Sequence, residues 1–224
     1  MNKKVLAIGA IMMIMASYMA TFQIMNIRPM TPLNTPIRVA CVGDSITQGS
    51  GYPAKLQLLL GTNYWVGNFG VAGTTVSLNS TIPYMNQTAF QKAEEFDPNY
   101  VVIMLGTNDA RTDVNESGET FEEDYCELVS SFENLTSNPQ IFVVDSPPMF
   151  TDNPSYNSTY LAYNVIPQID SVASNLNLPT VDVYNAFGNH TDYFMDGVHP
   201  NPEGATLIAF EVDNAIIAQE NNGP

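Results

Sequence analysis

Positive charge is what this 224-residue chain has least of: seven Lys and Arg face 23 Asp and Glu, for a formal net charge of −16. Three of the seven (Lys3, Lys4 and Arg28) precede Pro36, and no acid occurs before Asp44. The chain from Pro36 onward therefore sets four cations against all 23 acids, a net of −19. Such a surface repels phosphate backbones and anionic headgroups, which excludes nucleic acid as a partner and favours neutral or cationic ones. Cysteine is nearly absent. Cys41, in a predicted strand, and Cys126, in a predicted helix, are too few for a disulfide scaffold and are expected to be free, buried thiols. With only two histidines, no His/Cys/Asp cluster at zinc spacing and no phosphate-cradling glycine loop, the sequence implies neither a metal nor a nucleotide cofactor. Charged residues make up only 13% and hydrophobic ones 45%, which excludes disorder, and the length suits one domain with a full core.

What is present begins with Lys3 and Lys4, followed by an uncharged, largely apolar run from Val5 to Met25. That pattern is an export signal over residues 1–25. Its length, about 21 residues against the roughly 20 that cross a bilayer as a helix, suits an uncleaved anchor tethering the chain through residues 5–25. A cleaved signal peptide is the alternative, although a cut after Ala20 would place Tyr18 where a small residue is needed. Residues 26–35, with Pro29 and Pro32, read as an extended linker, and the folded domain is expected over 36–220. Asn-x-Ser/Thr triplets at Asn79, Asn86, Asn115, Asn134, Asn157 and Asn189 would be available for glycosylation in an exported chain.

Short apolar runs bounded by turn residues predict buried parallel strands over 37–42, 64–68, 100–105, 141–144 and 180–183. Helical spacing over 53–60, 88–96, 121–135 and 160–176 alternates with them. A last helix is announced by Asn201 as N-cap and Pro202 as its first residue, with Ala205, Leu207, Ile208, Phe210, Val212, Ile216 and Ile217 as its apolar side. The pattern predicts a three-layer α/β/α domain with a sheet of about five mainly parallel strands, whose ligands bind at the strand carboxyl ends.

Three loops at those ends carry chemistry: Gly43-Asp44-Ser45-Ile46-Thr47, Gly106-Thr107-Asn108-Asp109, and Asp196-Gly197-Val198-His199-Pro200-Asn201. A serine hydroxyl becomes a nucleophile when a histidine takes its proton, and the histidine works best when a carboxylate holds its tautomer. The three-residue spacing of Asp196 and His199 brings carboxylate and ring together through a turn and leaves the second ring nitrogen for Ser45. Asn108, and Gly73 in the turn Asn68-Phe69-Gly70-Val71-Ala72-Gly73-Thr74, can donate to an oxyanion. Asp44 and Asp109 read as carboxylates that brace their loops, Arg111 as a surface residue or a receptor for one carboxylate, and His190 as an exposed loop residue. Met149 and Phe150, after the fourth strand, either line an acyl pocket or pack beneath their loop.

These four blocks, in order from about Val39 to Ala209, resemble the SGNH or GDSL hydrolases, a family of esterases. The resemblance implies Ser45 as nucleophile and, through its N–H, as oxyanion donor. It implies Gly73 and Asn108 as the other donors, His199 as base and Asp196 as its partner, on a flavodoxin-like three-layer sandwich. Ile46-Thr47 stands where many members have Leu-Ser. The blocks look similar to those of sialate-type and other carbohydrate O-acetylesterases, implying removal of small acyl groups from extracellular glycans. A lipid, aryl or thioester hydrolase of the same family and a non-catalytic surface binding module are the alternatives. Oligomeric state is not legible.

Overall fold

The computed structural model describes residues 35–114 and 120–222. The expected signal or anchor and nearly all of the linker lie outside the described residues. Among the described residues no helix is long and apolar enough to cross a membrane.

Among the described residues five strands form one parallel sheet in the order β2-β1-β3-β4-β5: β1 is Ile37–Gly43, β2 Tyr64–Gly70, β3 Tyr100–Met104, β4 Gln140–Val144 and β5 Thr180–Val181. Among the described residues the α-helices of five residues or more are α1 (Ser45–Gly49), α2 (Tyr52–Leu60), α3 (Thr88–Glu95), α4 (Phe121–Glu133), α5 (Ile166–Asn175), α6 (Val183–Phe187) and α7 (Pro202–Asn222). The central strands are apolar over 39–42, 101–104 and 141–144 because both sheet faces are covered there. Along them the side chains alternate: Val42, Val101, Ile103, Ile141 and Val143 face one core with α4 and α5, and Val39, Cys41, Val102, Met104, Phe142 and Val144 face the other with α2 and α7. Each fully buried side chain of this size contributes about 1.5–3 kcal/mol relative to exposure. This is the expected three-layer sandwich.

The local differences have identifiable causes. The predicted helix over 160–176 is interrupted, because Pro167 has no N–H to give the Tyr163 carbonyl. The chain instead forms a π-helical turn, Leu161–Val165, in which Ile166 N–H reaches back five residues to Leu161 O. The fifth strand stops after two residues, since Asp182 accepts a hydrogen bond from Asn185 N at 2.9 Å and caps α6, putting Val183 in a helix rather than a strand. Asn201 caps α7 as expected, its Oδ1 accepting from Glu203 N at 3.0 Å and Gly204 N at 3.1 Å. Phe210, assigned to the apolar side of that helix, is instead 51% exposed, and Ala209 is buried in its place. Both cysteines are free, but only Cys41 is fully buried, and burial pushes its thiol up to about 12.

The carboxyl end of β4 holds an unusual carboxylate. Asp145 is 2% exposed and its Oδ1 has no partner among the described residues. Burial, then the neighbouring Asp170 and Asp182 carboxylates, push it up to about 8 from the ordinary 3.8. A raised carboxylate favours the fold while protonated. Its contribution is complete below 3.8 and is lost as pH rises through about 8. Asp145→Asn, neutral at every pH, is therefore expected to raise Tm over wild type at about pH 9 and to leave it unchanged at about pH 3.5. Thermal melts at the two pH values check this, and an equal shift at both would contradict it.

Sheet order reverses at β1, whose neighbours β2 and β3 are reached by crossovers running in opposite directions. Such a switch point opens a crevice at the strand carboxyl ends. Ser45 follows β1 and Asn108 follows β3, so both sit at its mouth.

Candidate active site

Ser45 is the first residue of α1, and the residue before it caps that helix. The Asp44 backbone is non-helical, and its Oδ1 accepts from Ile46 N at 2.8 Å. A serine at a first helical position has no intrahelical acceptor for its N–H, and among the described residues the Ser45 N–H has no protein partner. Its hydroxyl lies 2.9 Å from His199 Nε2 across 154 residues of sequence.

His199 is held by the turn that precedes α7. Asp196 Oδ1 accepts from Val198 N at 3.0 Å and from His199 N at 2.8 Å, closing the turn, while Oδ2 meets His199 Nδ1 at 2.8 Å. A carboxylate only accepts, so Nδ1 carries the proton and Nε2 is left to accept from Ser45. Partial burial alone would raise the Asp196 carboxyl. The hydrogen bonds from His199 and Val198 and the His199 charge outweigh it and hold the group at about 2. The turn depends on Gly197, at φ 81, where a Cβ would stand 2.4 Å from the Phe150 carbonyl oxygen. Phe150 N in turn donates to Gly197 O at 2.7 Å, so the loop after β4 braces the histidine turn.

Asn108 opens the 3-10 turn Asn108–Ala110 and is buried. Its Nδ2 donates to Thr74 O at 3.0 Å and to Asp44 Oδ2 at 3.3 Å. The amide therefore lies between the neighbour of Gly73 and the neighbour of Ser45. Gly73 has φ 79, and a Cβ there would meet only Ile82 at 3.7 Å. Backbone conformation, rather than crowding by the protein, accounts for glycine at this position. Its N–H has no protein partner among the described residues. Asp109 accepts from Val76 N, Ser77 N and Ser77 Oγ at 3.0, 2.9 and 2.7 Å, pinning the Gly73 loop to the Asn108 turn. All five candidate residues thus converge on one crevice.

Asp44 has a larger part than bracing its own loop. It joins the α1 cap to Asn108, and burial pushes its carboxyl up to about 6, with Asp109 adding to the rise and hydrogen bonds from Ile46 and Thr107 opposing it. Arg111 is engaged by Asp113 through two hydrogen bonds, at 3.0 and 2.7 Å, and is not an open carboxylate receptor. His190 is exposed, stacked on Tyr193 and 3.4 Å from Asp192. Met149 is buried in the core beside α4 and α5, whereas Phe150 packs edge-on against Phe194.

The family model of the GDSL-like lipases and acylhydrolases matches residues 41–207, a stretch that contains all five residues. The chain belongs to this family. It is the family that the four blocks led us to expect. The acetylxylan esterase of Xylanibacter ruminicola is 33% identical over 211 residues, covering 83% of this chain and 44% of that protein. The chain thus spans less than half the length of that relative. Among solved structures, a carbohydrate acetylesterase family member from Sinorhizobium meliloti superposes with a TM-score of 0.64 at 19% identity, covering 83% of this chain and 99% of that one. The lipase/acylhydrolase from Enterococcus faecalis gives 0.65 at 23% identity, covering 82% and 96%. At these identities the two structures speak for the fold.

Proposed function

We propose that this GDSL-family chain is a serine esterase that removes acetyl groups from the hydroxyls of carbohydrates outside the cell. The observation that carries the reading is the pair of hydrogen bonds in series, Ser45 Oγ to His199 Nε2 at 2.9 Å and His199 Nδ1 to Asp196 Oδ2 at 2.8 Å. The acetylxylan esterase relative supports acetyl and carbohydrate as the two halves of the substrate. Secretion, or tethering to the outer face of the membrane through residues 5–25, follows from the export signal in the sequence.

In this mechanism Ser45 Oγ attacks the acyl carbonyl carbon while His199 Nε2 takes the hydroxyl proton. Asp196, ionised down to about pH 2, keeps the ring oriented and stabilises the imidazolium. The carbonyl oxygen becomes an oxyanion facing the N–H groups of Ser45 and Gly73 and the amide of Asn108. The long 3.3 Å contact from Asn108 to Asp44 is the one that yields, freeing an N–H for the oxyanion. Collapse expels the sugar oxygen, which takes the proton from His199 Nε2, and leaves the acetyl group on Ser45. Water then attacks the acyl-enzyme, giving its proton to His199. Breakdown releases acetate and returns the proton to Ser45.

The test is turnover of p-nitrophenyl acetate beside p-nitrophenyl octanoate, together with acetate release from acetylated xylan. Fast cleavage of the acetate ester and acetate release from the polymer are expected. A preference for octanoate would move the assignment to lipid esters, and an inert but folded protein would move it to a binding module.

A further inference from the structure

Away from the crevice, a pocket of ≈ 400 Å³ opens between the loop after β4, the π-helical turn and α6. That volume falls in the range of small-molecule sites, roughly 300–1,000 Å³. Neither Ser45, His199 nor Asp196 lines it. The strand order places it at the β4–β5 end of the sheet, two to three strand spacings from β1, or roughly 10–14 Å at about 4.8 Å each, on the same carboxyl edge as Ser45. The acetyl group on the serine is too far away to fill it. The two sites share a wall nevertheless, because Phe150 lines the pocket and its N–H is bonded to Gly197 O in the turn that carries His199.

The lining has a particular chemistry. In a chain with 23 acids and a net charge of −16, no residue of the pocket carries a formal charge. Its apolar lining is in part aromatic, with Phe150, Tyr184 and Tyr163, the last 77% exposed at the rim, and in part aliphatic, with Pro148, Met149 and Ala162. Tyr163 lies close enough to Tyr184 for the two phenols to interact, and partial burial, then Tyr163, raise the Tyr184 hydroxyl. Beside the rings stand Ser158, Thr159, Asn185 and Asn189, and the Asn185 amide is oriented by Asp182 Oδ2 at 2.9 Å. Aromatic faces with hydroxyl and amide groups around them, and no charge, suit a ligand that has a C–H face, an edge of hydroxyls and no ionised group. A pyranose ring has all three properties.

We propose that this pocket is a distal subsite for a neutral sugar ring of the chain whose acetylated residue sits at Ser45. The inference rests on the carbohydrate acetylesterase reading and deepens it, since a subsite two or three strand spacings from the nucleophile serves only an extended substrate. Binding energy gained there holds the remote part of the chain and lowers KM for polymers relative to small esters.

The test titrates xylohexaose, an unacetylated neutral oligosaccharide, into the full chain by calorimetry. The protein is made in a bacterial host so that Asn189, in its Asn-x-Thr triplet, carries no glycan. Xylohexaose is expected to bind, and Tyr163→Ala and Ala162→Arg, which respectively remove a ring face and fill the pocket, should each weaken it at least tenfold while melting at the wild-type temperature. Equal binding by wild type and both variants overturns the subsite, as does binding of octanoate with no binding of xylohexaose. Turnover of p-nitrophenyl acetate by the wild type is read in parallel. A protein that hydrolyses this ester without binding xylohexaose loses the subsite and keeps the esterase assignment. One that binds xylohexaose through Tyr163 without hydrolysing the ester keeps the sugar site and loses the esterase.

Discussion

Ser45→Ala is expected to lower kcat on p-nitrophenyl acetate by roughly 10⁴- to 10⁶-fold while leaving the thermal melt within error of wild type. The activity loss follows from the chemistry: without Oγ there is no acyl-enzyme, and what remains is water attack assisted by the oxyanion donors. The unchanged melt follows from the structure, because the α1 cap belongs to Asp44 and the serine side chain has no bond except the one to His199. His199→Ala should fall comparably. The double variant should fall little further, since the two side chains act as a unit. Multiplying losses in the double variant, or a Ser45→Ala protein with more than about a hundredth of wild-type kcat, would remove Ser45 from the mechanism.

Asn108→Ala should cost about 10²- to 10³-fold in kcat, the value of one oxyanion donor, with KM changed far less. Unlike the serine variant it should also unfold more easily. Its Nδ2 satisfies Thr74 O and Asp44 Oδ2 in a buried setting, and leaving such acceptors unpaired costs about 1–3 kcal/mol. The pH dependence carries the sign of the Asp44 shift. With the carboxyl raised to about 6, its protonated form favours the fold, fully below 3.8 and no longer above about 6. Removing the Asn108 donor raises that carboxyl further, so the variant's stability deficit should be larger at about pH 8 than at about pH 4. Urea unfolding at both pH values together with steady-state kinetics checks the two effects. A kcat within about threefold of wild type would assign Asn108 to the fold alone.

The legible parts of the chain were those governed by local patterns. The apolar run around Val39–Val42 reads as a buried strand because both sheet faces are covered, and every one of its side chains is fully buried. Asn201-Pro202 marks a helix start by its own chemistry, as Oδ1 of Asn201 demonstrates. Asp196 and His199 are three residues apart, so one turn suffices to bring them together. The misreadings lie where a local preference competes with a neighbour of another kind. Pro167 breaks the hydrogen bonding of an otherwise regular helical pattern, Asp182 turns a strand-like run into a cap, and Phe210 satisfies the apolar periodicity of α7 while the core already has Ala209.

By itself the sequence determined the class of fold, the charge of the surface and the identities of the five candidate residues, because periodicity, composition and motif order are properties of short stretches. Only the tertiary structure decided that Ser45 Oγ meets His199 Nε2, that Asp109 ties the Gly73 loop to the Asn108 turn, that Phe150 braces Gly197, and that Asp44 is coupled to Asn108. It alone also revealed the uncharged aromatic pocket beside β5. Each of these joins residues tens to more than a hundred positions apart. Their meeting is set by strand order and the crossovers that bring the carboxyl ends together, and no local window of the chain contains that information.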